Sequence, residues 1–131
     1  MAPPRDGDTH DGEPPFRGRS AAWLWLGWGI GPAAWALHQN VSYALVPALC
    51  EAGDGAWLHL VTAVALALAA AALLLSWRNW RRAGRGWPGP EGGPAARSRF
   101  MAFAGMMIAA LSLAGIAVEG IPNFILDPCV R

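Results

Sequence analysis

Three long apolar runs, at residues 21–49, 57–77 and 100–118, constrain this chain more than any other feature of its sequence. Each run is about as long as, or longer than, the roughly 20 apolar residues that a helix needs to cross a ~30 Å hydrocarbon layer. Apolar side chains make up 54% of the 131 residues, and they are bunched in these runs. A helix on the surface of a soluble protein would instead have one apolar face and one polar face. The sequence therefore predicts an all-α integral membrane bundle of three transmembrane helices.

We expect these helices at about residues 22–49, 57–79 and 98–121, within one membrane domain that covers residues 21–131. The first run is too long for the apolar core of a signal peptide and has no small-residue cleavage site behind it. The sequence thus predicts that the first helix stays in the membrane.

The segments outside the runs have a different composition. Residues 1–20 are rich in Pro, Gly, Asp and Arg, which is typical of a disordered tail. The linker at about residues 83–97 contains the Gly- and Pro-rich stretch 84–94, a composition that favours flexibility over helix. We therefore expect no packed domain outside the membrane.

Arginine is distributed unequally around the runs. Nine of the ten arginines precede the first run or separate the second from the third, and these are Arg5, Arg17, Arg19, Arg78, Arg81, Arg82, Arg85, Arg97 and Arg99. The loop at residues 50–56 has none and carries Glu51 and Asp54. The positive-inside rule then places the N-terminus and the long linker in the cytoplasm and the C-terminus outside. Contact with anionic membrane lipid explains the arginines better than nucleic-acid binding does.

Both cysteines fall on the predicted outer side. Cys50 follows the first helix directly, and Cys129 lies a few residues after the third. Disulfides persist outside the cytoplasm, so we expect a Cys50–Cys129 bridge that ties the C-terminal segment to the end of the first helix. A metal site and free thiols are the alternatives.

Polar residues at membrane depth are concentrated in the first helix. This intramembrane polar cluster consists of His38, Gln39, Asn40, Ser42 and Tyr43. At about 100° per residue the five cover an arc of roughly 200°, opposite an apolar arc. Because unpaired polar groups are costly in lipid, we expect the polar arc to face protein or a cavity.

The other two helices show stripes at three-four spacing that predict their inward faces. On the second helix these are His59, Thr62, Ala63, Leu66, Ala70, Leu73 and Trp77; on the third they are Met101, Gly105, Ile108, Ser112, Gly115 and Glu119. The pair Gly27 and Gly31 in the first helix fits a close helix approach, although this spacing is common in Ala-rich spans.

The histidines are the candidate ligands for a cofactor. His38 lies roughly 16 Å from the outer end of the first helix and His59 about 3 Å from that of the second, so a haem held by both within one chain is disfavoured. We expect His38 to hydrogen-bond Ser, Thr or a carbonyl of a neighbouring helix.

A contact between His59 and Glu119 is predicted, because both lie near the outer ends of their helices. Its favoured form is a hydrogen-bonded pair, and its alternative is a metal site of the imidazole and carboxylate type. The chain is expected to hold no resident cofactor, with haem or copper as the alternative. No catalytic triad, phosphate-binding loop or metalloprotease motif occurs, so the sequence predicts that the protein is not an enzyme.

Two stretches carry a family resemblance: residues 31–38, continuing to 43–47 and Cys50, and the ending at 121–129. They resemble small three-helix membrane proteins of unassigned activity that are encoded among bacterial haem-copper (cytochrome c) terminal oxidase genes. The resemblance implies a non-enzymatic accessory subunit or assembly factor in the bacterial cytoplasmic (inner) membrane, with membrane proteins of the respiratory chain as partners. A metal or haem carrier and a small transport component built as a homo-oligomer are the alternatives.

Overall fold

The structure, a computed structural model, describes residues 19–87, 89–90, 92–126 and 129. Every regular element in these ranges is a helix, in the order α1 (Arg19–Ala52), α2 (Ala56–Arg82), α3 (Pro94–Gly120) and the single turn α4 (Pro122–Ile125). The all-helical prediction is therefore confirmed. Most of the predicted tail, residues 1–18, lies outside the described residues.

A three-residue turn joins α1 to α2 and makes them antiparallel. Gly53 ends α1 with a φ of 72°, a conformation that glycine adopts without a Cβ penalty. Its N–H donates to the carbonyl of Leu49 at 2.8 Å. The carboxylate of Asp54 then accepts the N–H of Ala56 at 3.0 Å and so satisfies a free donor at the start of α2.

The helices are longer than the sequence predicts. The helix α1 begins at Arg19 and ends at Ala52, which places two residues of the predicted tail in helix and adds three residues after position 49. The helix α3 begins at Pro94, four residues early, because proline needs no N–H partner in the first turn. The predicted linker at 83–97 thus shortens to residues 83–93.

Each of the three long helices packs against the other two. The centre of the bundle is filled by small residues around one larger side chain: Ala34, Ala65, Ala69 and Ile116 are all buried. Gly27 and Gly31 line this contact, since an added Cβ would lie 2.6 Å from Ser76 Oγ and 3.0 Å from the Cα of Ala109, respectively. The backbones therefore approach closely along α1.

Hydrogen bonds between α2 and the backbone of α1 fix the other end of the bundle. Ser76 Oγ donates to the carbonyl of Gly27 at 3.1 Å, and Asn79 Nδ2 donates to that of Trp23 at 2.8 Å. Both polar side chains are buried and tie the two helices where α2 approaches its arginines.

The inward face of α2 differs from the predicted stripe. Its buried residues are Leu58, Thr62, Ala65, Ala69, Ala72, Ser76 and Asn79, so the prediction shares only Thr62 with the observed face. On α3 the prediction shares Gly105 and Ser112 with the buried set. The predicted stripes favoured larger apolar side chains, whereas these helices contact one another through Ala, Gly and Ser and turn the large side chains outward.

Two helical segments, Ala56–Arg82 and Pro94–Ile125, are long and apolar enough to cross a membrane. Their outward faces bear large exposed apolar side chains, including Leu60, Val64, Leu74, Leu111 and Val118. A surface of this kind is favourable in contact with hydrocarbon and unfavourable in contact with water.

Candidate functional site

The helices α1 and α3 run parallel in a constant register. An added Cβ at Gly31 would lie 3.0 Å from the Cα of Ala109, 78 residues later, and Gln39 contacts Glu119, 80 residues later. Since α1 has 34 residues and is about 51 Å long, it continues well past the last residue of α3. Glu119 is therefore level with the middle of α1 and not with its outer end.

A disulfide joins Cys50 to Cys129, with 5.2 Å between the Cα atoms. The predicted bridge is present. It ties residue 129, which follows α3 and α4, to the last turn of α1.

Two side chains of α1 converge on one carboxylate oxygen of Glu119. Oε1 accepts hydrogen bonds from Trp35 Nε1 at 2.9 Å and from Gln39 Nε2 at 2.7 Å. Two N–H donors on one oxygen replace the hydrogen bonds that water would otherwise make to it. Both lone pairs of Oε1 are therefore occupied by donors from α1.

His38 is buried between α2 and α3, with 4% of its surface exposed. Its Nε2 lies 3.1 Å from Thr62 Oγ1, whose hydroxyl donates to the carbonyl of Leu58 at 2.9 Å. Its Nδ1 lies 3.4 Å from Oε2 of Glu119. One imidazole thus bridges a hydroxyl on α2 and a carboxyl group on α3.

A pocket of about 330 Å³ opens on this pair. It is lined by His38, Gln39, Ser42, Tyr43, Val46, Glu119, Pro122 and Asn123. Among the described residues, three buried polar atoms at the pocket have no hydrogen-bond partner: His38 Nδ1, Glu119 Oε2 and Ser42 Oγ. The pocket therefore offers acceptor atoms and a hydroxyl to whatever enters it.

The structure divides the predicted polar cluster of α1. His38, Gln39 and Ser42 face the bundle and the pocket, in agreement with the expectation for a polar arc. Tyr43 also lines the pocket rim but is 78% exposed, and Asn40 is exposed and donates to the carbonyl of Ala36 at 2.7 Å. The arc is thus only partly covered by this chain.

Glu119 contacts His38 and not the predicted His59. The ring of His59 packs on that of Phe124, with 4.6 Å between the centroids. The prediction placed His59 and Glu119 at the same level. Gly120, next to Glu119, instead packs against Thr62, about one turn further along α2 than His59, and Glu119 itself contacts α1. In the described part of the chain, no group of three or more His, Cys, Asp or Glu side chains is placed to hold a metal.

Trp35 and Thr62 belong to the site, and sequence reasoning did not assign them to it. The available signal was their spacing: Trp35, His38 and Gln39 stand at positions i, i+3 and i+4, on one face of a helix. Thr62 lay on the predicted stripe of α2, without an assigned partner.

Comparisons of this chain with protein-family profiles, curated proteins and solved structures give no match.

The chemistry of the site is that of holding a positive charge or a proton. Its centre is one imidazole and one carboxyl group, surrounded by neutral N–H donors from Trp35 and Gln39 and by the hydroxyl of Thr62. Within the described residues, arginine does not line the pocket. The site thus suits a cation rather than an anion.

Proposed function

We propose that this chain is a three-span membrane protein that serves as a non-enzymatic accessory subunit or assembly factor of a respiratory terminal oxidase in the bacterial cytoplasmic membrane. The third span is α1, which packs along both α2 and α3 and exposes large apolar side chains such as Leu26, Leu37 and Val41. The arginine-rich end lies in the cytoplasm by the positive-inside rule, and the disulfide lies outside.

The proposal rests on an outward-facing strip of α1, which we call the outer stripe. It consists of Gly29, Ala33, Ala36, Asn40 and Ala44, which follow three-four spacing and are all exposed. Small residues let a second helix approach closely in lipid, and an amide can hydrogen-bond across such a contact. A polar Asn40 facing hydrocarbon would be costly, so the outer stripe favours a helix of another protein as its neighbour.

The residues of the family resemblance lie in the same region. Residues 31–38 and 43–47 belong to α1, and residue 129 is bonded to Cys50 at its end. The stretches that resemble the oxidase-associated proteins therefore include part of the outer stripe. They also include Cys129, which the disulfide ties to the end of α1. This coincidence supports an oxidase component as the partner.

Purification of the tagged chain from native membranes in mild detergent tests the proposal. We expect oxidase subunits to copurify, and we expect Ala36→Leu to reduce their yield at least tenfold, because a larger side chain blocks close approach of a helix. Ala67→Leu is the matched control, since Ala67 is exposed on α2. This control is expected to retain the partner.

Two results would contradict the proposal. Absence of every oxidase component from the wild-type preparation would remove the partner. Equal loss in both variants would remove the outer stripe as the contact, because the same substitution on α2 should leave that face intact.

A further inference from the structure

The hydrogen bonds of Thr62 fix which nitrogen of His38 carries a hydrogen. The hydroxyl of Thr62 has one hydrogen, which it donates to the carbonyl of Leu58 at 2.9 Å. The 3.1 Å contact between Thr62 Oγ1 and His38 Nε2 therefore needs a hydrogen on Nε2. A neutral His38 in this position has a bare lone pair on Nδ1.

That lone pair would face another acceptor. Nδ1 lies 3.4 Å from Oε2 of Glu119, and within the described residues neither atom has a hydrogen-bond partner. The other oxygen, Oε1, already accepts from Trp35 and Gln39. A carboxylate opposite a neutral imidazole would leave two buried acceptors facing each other, and buried acceptors without a donor are costly.

We propose that His38 and Glu119 form a proton-binding site that holds one proton between Nδ1 and Oε2. The proton is carried either as imidazolium beside carboxylate or as imidazole beside carboxylic acid. Both forms have zero net charge, and the hydrogen-bond pattern around them is the same. This inference goes beyond the proposed function and does not depend on the identity of a partner.

The surroundings favour one proton over none or two. Around the pair, α1 contributes the neutral Trp35 and Gln39 together with Tyr43 at the pocket rim, and the turn α4 contributes only the neutral Asn123. On α2 the nearest titratable side chain in sequence to Thr62 is His59, whose ring packs on Phe124. Among the described residues no third charge lines the pocket, so loss of the proton leaves net charge −1 and gain of a second leaves +1. Because His38 is buried, an uncompensated charge of either sign is costly there.

The pocket of about 330 Å³ gives a proton a polar route to the pair, because it reaches both His38 and Glu119 and the side chain of Glu119 is 29% exposed. His38 also borders a second cavity, between α1 and α2, but apolar side chains such as Leu37, Val41 and Leu60 line it. Proton exchange is therefore expected through the pocket that Glu119 lines.

Nitrogen NMR of the full chain with labelled histidine, combined with infrared spectra of the carboxyl region, tests this site. Comparison with His38→Asn assigns the His38 signals. We expect a hydrogen on Nε2, together with either a protonated Nδ1 and no carboxylic acid band or a bare Nδ1 and an acid band. A bare Nδ1 beside an ionised Glu119, or a hydrogen missing from Nε2, would overturn the proposal.

Glu119→Gln provides a second test of the site, made on the folded protein. The amide that this substitution introduces can donate to Nδ1 in place of the proton, so Nδ1 of His38 is expected to be bare while the chain remains folded. His59→Asn is the control and should leave the His38 signals unchanged. A hydrogen on Nδ1 of His38 in Glu119→Gln would overturn the shared proton.

Discussion

Replacement of Glu119 by Ala is expected to lower the free energy of unfolding by about 2 kcal/mol, because it leaves the buried His38 and two N–H donors without a partner. Trp35 Nε1 and Gln39 Nε2 lose their acceptor, and His38 loses the carboxyl group beside Nδ1. Thermal unfolding followed by circular dichroism in mild detergent measures the loss.

Glu119→Gln is the matched control for that measurement. Its carbonyl oxygen still accepts from Trp35 and Gln39, and its amide donates to His38, so every hydrogen bond at the site keeps a partner. We expect this variant to lose less than about 1 kcal/mol. Equal destabilisation by both substitutions would contradict this explanation, because Gln keeps the hydrogen-bond partners that Ala removes.

Gly27→Val is expected to destabilise the bundle by about 3 kcal/mol, through overpacking at the contact of all three helices. An added Cβ at Gly27 lies 2.6 Å from Ser76 Oγ, which itself donates to the carbonyl of Gly27. Gly105 of α3 packs on the same backbone, with its own Cβ position 3.5 Å from the carbonyl carbon of Gly27. The side chain of Ser76 has nowhere to move without losing its hydrogen bond.

Gly29→Val makes the same chemical change two residues away, where an added Cβ meets nothing within 4 Å. It alters helix propensity as Gly27→Val does and creates no clash. The two variants are compared by the same unfolding measurement and by the fraction that purifies as folded protein. If Gly29→Val were as unstable as Gly27→Val, the close approach of α1 to its neighbours would be contradicted.

The fold class and the disulfide could be predicted from the sequence because both follow from one-dimensional features. Apolar length predicts helices, and the positions of Cys50 and Cys129 after the first and third runs predict the pairing. Helix ends were less predictable. The helix α3 starts at Pro94, inside a stretch whose composition favours a linker, because a proline in the first turn suits a helix as well as a loop.

The composition of the site could be predicted only in part, because it depends on register. His38 and Glu119 were both candidates, yet the contact between them follows from how far α1 extends beyond α3, which the apolar runs do not show. The inward face of α2 depends on which small residues let the backbones meet. Thr62 lies on that face, whereas the outward-turned Leu74 and Trp77 are exposed.

Paired topology reporters give the most direct test of a three-span protein with its disulfide outside. A reporter that fluoresces only in the cytoplasm and a phosphatase that is active only outside it are each fused to the amino end and to the carboxyl end. We expect fluorescence without phosphatase activity at the amino end and the reverse at the carboxyl end. Both ends in the same compartment would mean an even number of membrane crossings and would rule out the three-span topology.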